Sequence, residues 1–209
     1  KMAHIAKKYQ WVPGSMMNDN HDFEVYAPYY GENMLNAKGS VIEITDSIPF
    51  DDFLFFCRPT KDTKLFNGQV FTKYSYVEWI EDLKDRKLYK KMLGQKMLVA
   101  PLREIQQEVR CWVVGGKVRT CSRYKLGNMV SYKNYDDEVG FVNFAQSMVD
   151  IYQPAKAFVI DVCLVEDEYK VVEINCINAA GFYDANMYKL ISAIEEEFST
   201  TSHSGQFIA

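Results

Sequence analysis

Apolar positions along this chain come in short runs, broken by Gly, Pro and charged turns, which is the spacing of strands and modest helices. Within the first fifty residues, Phe23-Glu24-Val25-Tyr26 and Val41-Ile42-Glu43-Ile44 read as short extended pieces. Five consecutive apolar residues from Phe53 to Cys57 mark a buried strand, stopped at Arg58-Pro59 because proline cannot donate to a ladder. A polar loop with Asp62, Lys64, Asn67 and Gly68 follows. Ser75 and Glu78 then have the spacing of a capping box. Trp79, Ile80, Leu83, Leu88 and Met92 recur at helical spacing up to Gly94, which predicts a helix over 76–93. Met97 to Leu102 reads as a strand. One-sided apolar faces at Val142, Ala145, Met148 and Val149, and at Tyr188, Leu190, Ile191 and Ile194, predict helices over 138–150 and 185–198. The Ser/Thr-rich tail reads as a fraying end.

Two hairpins carry the positional information. Gly115-Gly116 tolerates the positive φ of a tight turn between Val109–Val114 and Lys117–Cys121. A two-residue loop sets Glu108 against Arg123, Arg110 against Cys121 and Trp112 against Arg119. Alternation then puts Glu108, Arg110, Arg123 and Lys125 on one face. The second hairpin joins Phe158–Leu164 to Tyr169–Cys176 through Glu166-Asp167-Glu168. A turn centred on Asp167 puts Asp161 directly opposite Glu173, with Asn175 on the same face.

Composition narrows the class. Apolar residues make up 48% and charged residues 25%, which excludes disordered and fibrous chains. No apolar run is long enough to span a bilayer, and no leader is visible ahead of His4, so the expected setting is cytoplasmic with no membrane partner. A net charge of −4, without a dense basic stretch, argues against a nucleic-acid partner. Cys57, Cys111, Cys121, Cys163 and Cys176 each interrupt an apolar run and show no paired spacing, so they read as reduced, strand-buried thiols. His4, His21 and His203 are isolated and take no role.

Facing carboxylates with Cβ atoms about 5 Å apart repel unless a cation lies between them. Oxygen ligands of the Asp161, Glu173 and Asn175 type suit Mg²⁺, which keeps room for water and substrate phosphates. The same three residues also read as a plain polar ladder, with Lys170 or Lys156 as counter-ion. Arg110, Arg123 and Lys125 read either as a phosphate cradle or as a Glu108–Arg123 ion pair beside a Trp112–Arg119 cation–π contact. Arg58 is either a phosphate ligand or an edge arginine reaching for water.

Taken in order, these features resemble the ATP-grasp superfamily over residues 53–198. A strand ends in a basic residue and Pro; a Gly-containing loop, a helix and a second strand follow; then come Glu108-x-Arg110, Arg123, Lys125, and Asp161 twelve residues before Glu173-x-Asn175. The resemblance implies an α+β fold in which two sectors with antiparallel sheets enclose a nucleotide. A reduced N-terminal segment would occupy 1–52, a small sector 53–102, a large sector with the metal site 103–198, and a flexible tail 199–209. It implies Mg²⁺ held by Asp161, Glu173 and Asn175, adenine held by backbone near Ala100, Pro101 and Leu102, and ribose held by Glu104 or Glu108. Arg110, Arg123 and Lys125, together with Arg58 and Lys64, would take phosphates and the charge developing in transfer. The family usually places lysine where this chain has Arg58. The Arg58-Pro59…Asp62-x-Lys64-x-Phe66-x-Gly68 pattern resembles a bacterial and phage clade of small ATP-grasp proteins.

The function so implied is an ATP-dependent carboxylate–amine ligase using ATP and Mg²⁺. Its substrate would be a small molecule or peptide bearing a carboxylate, with an amine as acceptor. The chain offers no G-x-S-x-G, no H-E-x-x-H and no Cys–His pairing, which suits chemistry by positioning and electrostatics. Asn178 to Tyr183 reads either as an acceptor-carboxylate loop opening the last helix or as a tight turn with Tyr183 in the core. A small-molecule kinase and a non-catalytic ATP-binding module remain the competing classes.

Overall fold

A computed structural model describes residue 8 and residues 19–45, 47–61, 66–86 and 90–199. Lys64, Leu88 and the tail beyond Ser199 therefore lie outside the described residues. Packing divides the chain into two units. One holds Val25–Leu35 and the chain from Glu104 onward, and the other holds Asp22–Glu24 and Asn36–Arg103.

The second unit is built on a four-stranded antiparallel sheet of β1 (Ser40–Glu43), β2 (Leu54–Pro59), β3 (Gln69–Thr72) and β4 (Lys96–Pro101), in the order β1-β4-β2-β3. In β2 the apolar run does not bury as a block: Phe55 and Cys57 are sealed while Phe53 and Leu54 face outward. The alternation of a one-sided sheet explains this, because only one face has a helix to cover it. That face packs Phe55, Phe71, Met97 and Val99 against Tyr76, Ile80 and Leu83 of the helix that follows β3. Each large side chain buried there stabilises the unit by roughly 1.5–3 kcal/mol.

The helix runs over Lys73–Asp85, one turn earlier than the sequence suggests. Its N-cap is Thr72, whose hydroxyl accepts from the Ser75 amide at 3.0 Å while the Ser75 hydroxyl accepts from the Thr72 amide at 2.9 Å. Ser75 is thus the far member of the capping box and not its start. The N-terminal segment also differs from its reading. Phe23–Tyr30 is a helix, which we label α1, so Lys73–Asp85 is α2. Phe23, Tyr26 and Tyr30 sit at helical spacing and are all buried, the periodicity that an extended reading overlooks.

The other unit carries a five-stranded antiparallel sheet. Its strands are β5 (Gln107–Val114), β6 (Lys117–Leu126), β7 (Met129–Asn134), β8 (Ala157–Val165) and β9 (Glu168–Cys176), in the order β7-β6-β5-β8-β9. Helix α3 (Val139–Ile151) packs on one face through Phe141, Ala145, Met148 and Val149. Helix α4 (Met187–Ser199) covers one end of the opposite face, where Leu190 and Ala193 meet Trp112, Val114, Ala157 and Val159. The rest of that face carries polar side chains. All five cysteines lie on strands and are buried, and among the described residues no helix is long and apolar enough to cross a membrane.

Three register shifts shape the polar face. Val114 and Lys117 pair across Gly115-Gly116 as expected, but a bulge at Arg119 advances the partner strand, so Trp112 meets Thr120 and Arg110 meets Ser122. A second bulge at Tyr124 sets Glu108 against Lys125 and leaves Arg123 opposite Val109. In the other hairpin Glu166 and Asp167 take positive φ in a two-residue turn, and a bulge at Val172 brings Asp161 opposite Glu173. The expected pairing therefore holds, through a shorter turn plus one extra residue.

Candidate functional site

One rung crosses the whole sheet. Asn134, Ser122, Arg110, Asp161 and Glu173, each from a different strand, are successive cross-strand partners and share a face. Asn175, two residues beyond Glu173, faces the same way and donates from Nδ2 to Glu173 Oε1 at 2.7 Å. Asp161, Glu173 and Asn175 thus stand together, as the sequence suggests.

Asp161 is 1% exposed, and its counter-ion is neither Lys170 nor Lys156 but Arg110. Arg110 Nε donates to Oδ1 at 2.8 Å and Nη2 donates to Oδ2 at 2.7 Å, a two-pronged pair in the plane of the carboxylate. Lys170 turns instead to Glu168, and Lys156 turns to Glu197. Burial pushes the Asp161 carboxyl up to about 6; Arg110 opposes the rise, and Glu173 and Glu108 add to it.

A second ion pair lies beside the first. Glu108, 7% exposed, accepts from Lys125 Nζ at 2.8 Å and from the Tyr124 hydroxyl at 2.6 Å. Burial, with Asp161 and Glu108 nearby, raises the Tyr124 phenol far above its ordinary value, so the hydroxyl stays a donor. The Tyr124 ring flanks the Arg110 guanidinium at 5.7 Å and Tyr183 flanks it at 5.3 Å. Tyr183 in turn stacks between Tyr124 and Tyr132, with centroids 5.2 and 5.1 Å away. The segment bearing Tyr183 is tied to the sheet: the Asp184 amide donates to Ser122 Oγ, and the Asn186 amide donates to Thr120 Oγ1. Tyr183 itself has a φ of 49° and the last helix opens only at Met187, so the expectation that Asn178–Tyr183 opens that helix is corrected.

Arg123 departs from its expected place. Opposite Val109 it belongs to the face covered by α3, where its guanidinium donates to the Tyr135 hydroxyl at 2.9 Å and to Ser131 Oγ at 2.9 Å. The expected Glu108–Arg123 and Trp112–Arg119 contacts are replaced by Glu108–Lys125 and by an Arg119 hydrogen bond to the Val114 carbonyl. Sequence reasoning missed Tyr124 and Tyr183. Strict alternation places Tyr124 on the far face, and only the bulge turns it toward Arg110.

The remaining expected residues lie at the other unit's strand ends or in the connecting segment. Arg58 pairs with Leu98 across β2 and β4, and its guanidinium lies 5.3 Å from the Phe23 ring centroid. Because β1 runs out at Ser40, opposite Val99, Ala100 and Pro101 pair with β2 alone. Leu102 and Glu104 are exposed.

Three carboxylates (Glu108, Asp161, Glu173) share this polar face with two cations (Arg110, Lys125), so one more positive charge is needed to balance them. Among the described residues no three His, Cys, Asp or Glu side chains group as metal ligands, so a cation here depends on the Asn175 amide as well. With its nitrogen engaged by Glu173, Asn175 offers its carbonyl oxygen. Of the four lone-pair directions of the Asp161 carboxylate, Arg110 uses two. The donor set is hard oxygen throughout and fits Mg²⁺.

No curated protein matches the chain. Solved structures do. The D-alanine–D-alanine ligase from Bacillus anthracis complexed with ATP aligns with a TM-score of 0.57 at 12% identity, covering 87% of this chain and 66% of that one. The ATP-grasp ligase PsnB, complexed with a phosphomimetic variant of its minimal precursor, Mg and ADP, aligns with a TM-score of 0.55 at 13% identity, covering 85% and 58%. Cdc123 from Schizosaccharomyces pombe aligns with a TM-score of 0.53 at 13% identity, covering 83% and 90%. The chain thus spans less than two thirds of the length of either of those ligases. At such identities the likeness is one of fold, two α+β units with antiparallel sheets. A family model for an ATP-grasp domain, the third family of its clade, matches residues 7–194, most of the sequence, and on that match the chain belongs to this ATP-grasp family.

Proposed function

We propose that this chain is a Mg²⁺- and ATP-dependent ligase that joins a carboxylate to an amine through an acyl phosphate, on an amino acid or a peptide. The observation that supports this most is the rung itself: Asp161 and Glu173 are cross-strand partners with Asn175 on the same face, in a chain of the ATP-grasp family. Solved neighbours crystallised with ATP and with Mg and ADP support the choice of cofactor. D-alanine–D-alanine ligase and PsnB with its precursor support the substrate class.

In this reading Asp161, Glu173 and the Asn175 carbonyl hold Mg²⁺, which when bound screens the charge of the terminal phosphates. Arg110 turns its fork to phosphate oxygens, and Lys125 adds a point charge beside it. The substrate carboxylate attacks the γ-phosphorus, and ADP leaves. The amine then adds to the acyl carbon, and inorganic phosphate departs. No protein nucleophile takes part, so the side chains position the reactants and balance charge. Glu108 is engaged by Lys125 and Tyr124, which leaves the exposed Glu104 as the better candidate for the ribose hydroxyls. Backbone groups at Ala100 to Leu102 are proposed for adenine, and Arg58 and Lys64 for phosphates. Arg123, on the α3 face, has no part in it.

One observation favours a second reading, an ATP-binding module without turnover: Arg110 already holds both oxygens of Asp161. ADP release measured with pools of amino acids and peptides separates the two. The ligase reading expects release only when carboxylate and amine substrates are both present. Release with the carboxylate alone and a stable phosphorylated product identifies a kinase. Tight ATP binding with no release under any pool identifies the module.

A further inference from the structure

Arg110 and Lys125 are each assigned to phosphate in the proposed function, and each is found bonded to a carboxylate of the same face. Arg110 takes both oxygens of the buried Asp161, and Lys125 takes one oxygen of the buried Glu108. The Arg110 pair is well enclosed. Its guanidinium side chain is 10% exposed and is flanked by the Tyr124 and Tyr183 rings, and Tyr183 is itself held against Tyr132. A buried carboxylate without a counter-ion costs far more than one that is paired, so Arg110 is what allows Asp161 to remain in place before any ligand arrives. In that state the guanidinium lies where it competes with a divalent ion for Asp161.

We infer that Arg110 is a resident stand-in for the metal: it neutralises Asp161 until a phosphate draws the guanidinium away, so the site takes a divalent ion and a polyphosphate together and takes the ion poorly on its own. This rests on the proposed metal role of Asp161, Glu173 and Asn175, and adds to it the order in which charges enter. Two positive charges cannot share one buried carboxylate without repelling, whereas a polyphosphate supplies the anion that accepts Arg110 and also bridges to the ion. Linkage makes the effect reciprocal: whatever the polyphosphate does for the metal, the metal does for the polyphosphate. Tyr183 belongs to the device. Its ring lies over the guanidinium, so Arg110 leaves Asp161 only if that stack opens or slides.

The test is direct binding of Mn²⁺, followed by its magnetic resonance signal, to the full chain without nucleotide and then with ATP. Wild-type protein is expected to bind Mn²⁺ alone more weakly than about 0.1 mM, and to bind Mn²⁺ with ATP far more tightly. Arg110→Gln removes the competing charge and is expected to bind Mn²⁺ alone at least about tenfold more tightly than wild type. Arg110→Lys, which cannot fork both oxygens, should fall between them. Unchanged or weaker Mn²⁺ binding by these variants overturns the inference, as does tight binding of Mn²⁺ alone by wild type. If Arg110→Gln unfolds without metal, its recovery of a cooperative melt on adding Mn²⁺ supports the inference. If it stays unfolded with Mn²⁺, the wild-type and Arg110→Lys measurements decide. Absence of any Mn²⁺-dependent ATP binding by wild type is a different failure, because it removes the metal assignment itself.

Discussion

Burial pushes the Asp161 carboxyl up to about 6 from an ordinary 3.8, against the pull of the Arg110 guanidinium and with Glu173 and Glu108 adding to the rise. The sign of the resulting pH dependence follows. Between 3.8 and about 6 the folded chain holds a proton on Asp161 that the unfolded chain has released. The stability this group contributes is therefore complete below the lower value and is lost as pH rises through the upper one. Asp161→Asn cannot titrate, so urea unfolding of variant and wild type across this window should show the variant gaining relative stability as pH rises. A difference that stays flat with pH contradicts the assignment. Asp136 shows the opposite balance. Burial alone would raise it, but hydrogen bonds from Lys189, the Cys121 amide and Thr120 hold it below its usual value. Its contribution is lost instead when pH falls through that lowered value. It ties the segment before α4 to β6 and leaves the rung untouched.

Local chemistry sets the elements, and the capping of α2 separates the structural account from a reading of motif spacing alone. With Thr72 as N-cap, Thr72→Ala should cost about 1 kcal/mol in chemical denaturation, while Glu78→Ala should stay within about 0.5 kcal/mol of wild type. The reverse order would restore Ser75 as the cap. Much of the fold was legible at this scale. The helices over 139–151 and 187–199, the strands around Phe55 and Val99, and both hairpins follow from period and turn residues. What was not legible was the bulges. Nothing in the residues at Arg119 or Tyr124 marks an extra position, yet together those two shifts carry Arg123 to the α3 face and Tyr124 to the site. At Val172 the same kind of shift compensated for a turn one residue shorter than expected, and so the Asp161–Glu173 pairing held. The α1 helix was missed for another reason: Phe23-Glu24-Val25-Tyr26 alternates over four residues, and only Tyr30 reveals the longer period.

Across the whole chain, the ligand set could be read from strand pairing within one hairpin, but its counter-ion could not. Arg110 and Asp161 belong to different hairpins, 51 residues apart, and meet because β8 inserts beside β5, a strand order that spacing does not encode. The same order explains why three carboxylates and two cations converge on one sheet face while α3 and α4 cover the apolar remainder. The central claim is that this face holds a divalent ion which binds ATP to the chain. Calorimetric titration of ATP, with Mg²⁺ and with a chelator, into wild-type protein and into Asp161→Asn/Glu173→Gln tests it most directly. The account expects Mg²⁺ to strengthen ATP binding by wild type at least about tenfold, and expects the double variant to lose that gain while keeping its folded melt. A double variant that binds Mg²⁺-ATP as tightly as wild type would contradict it.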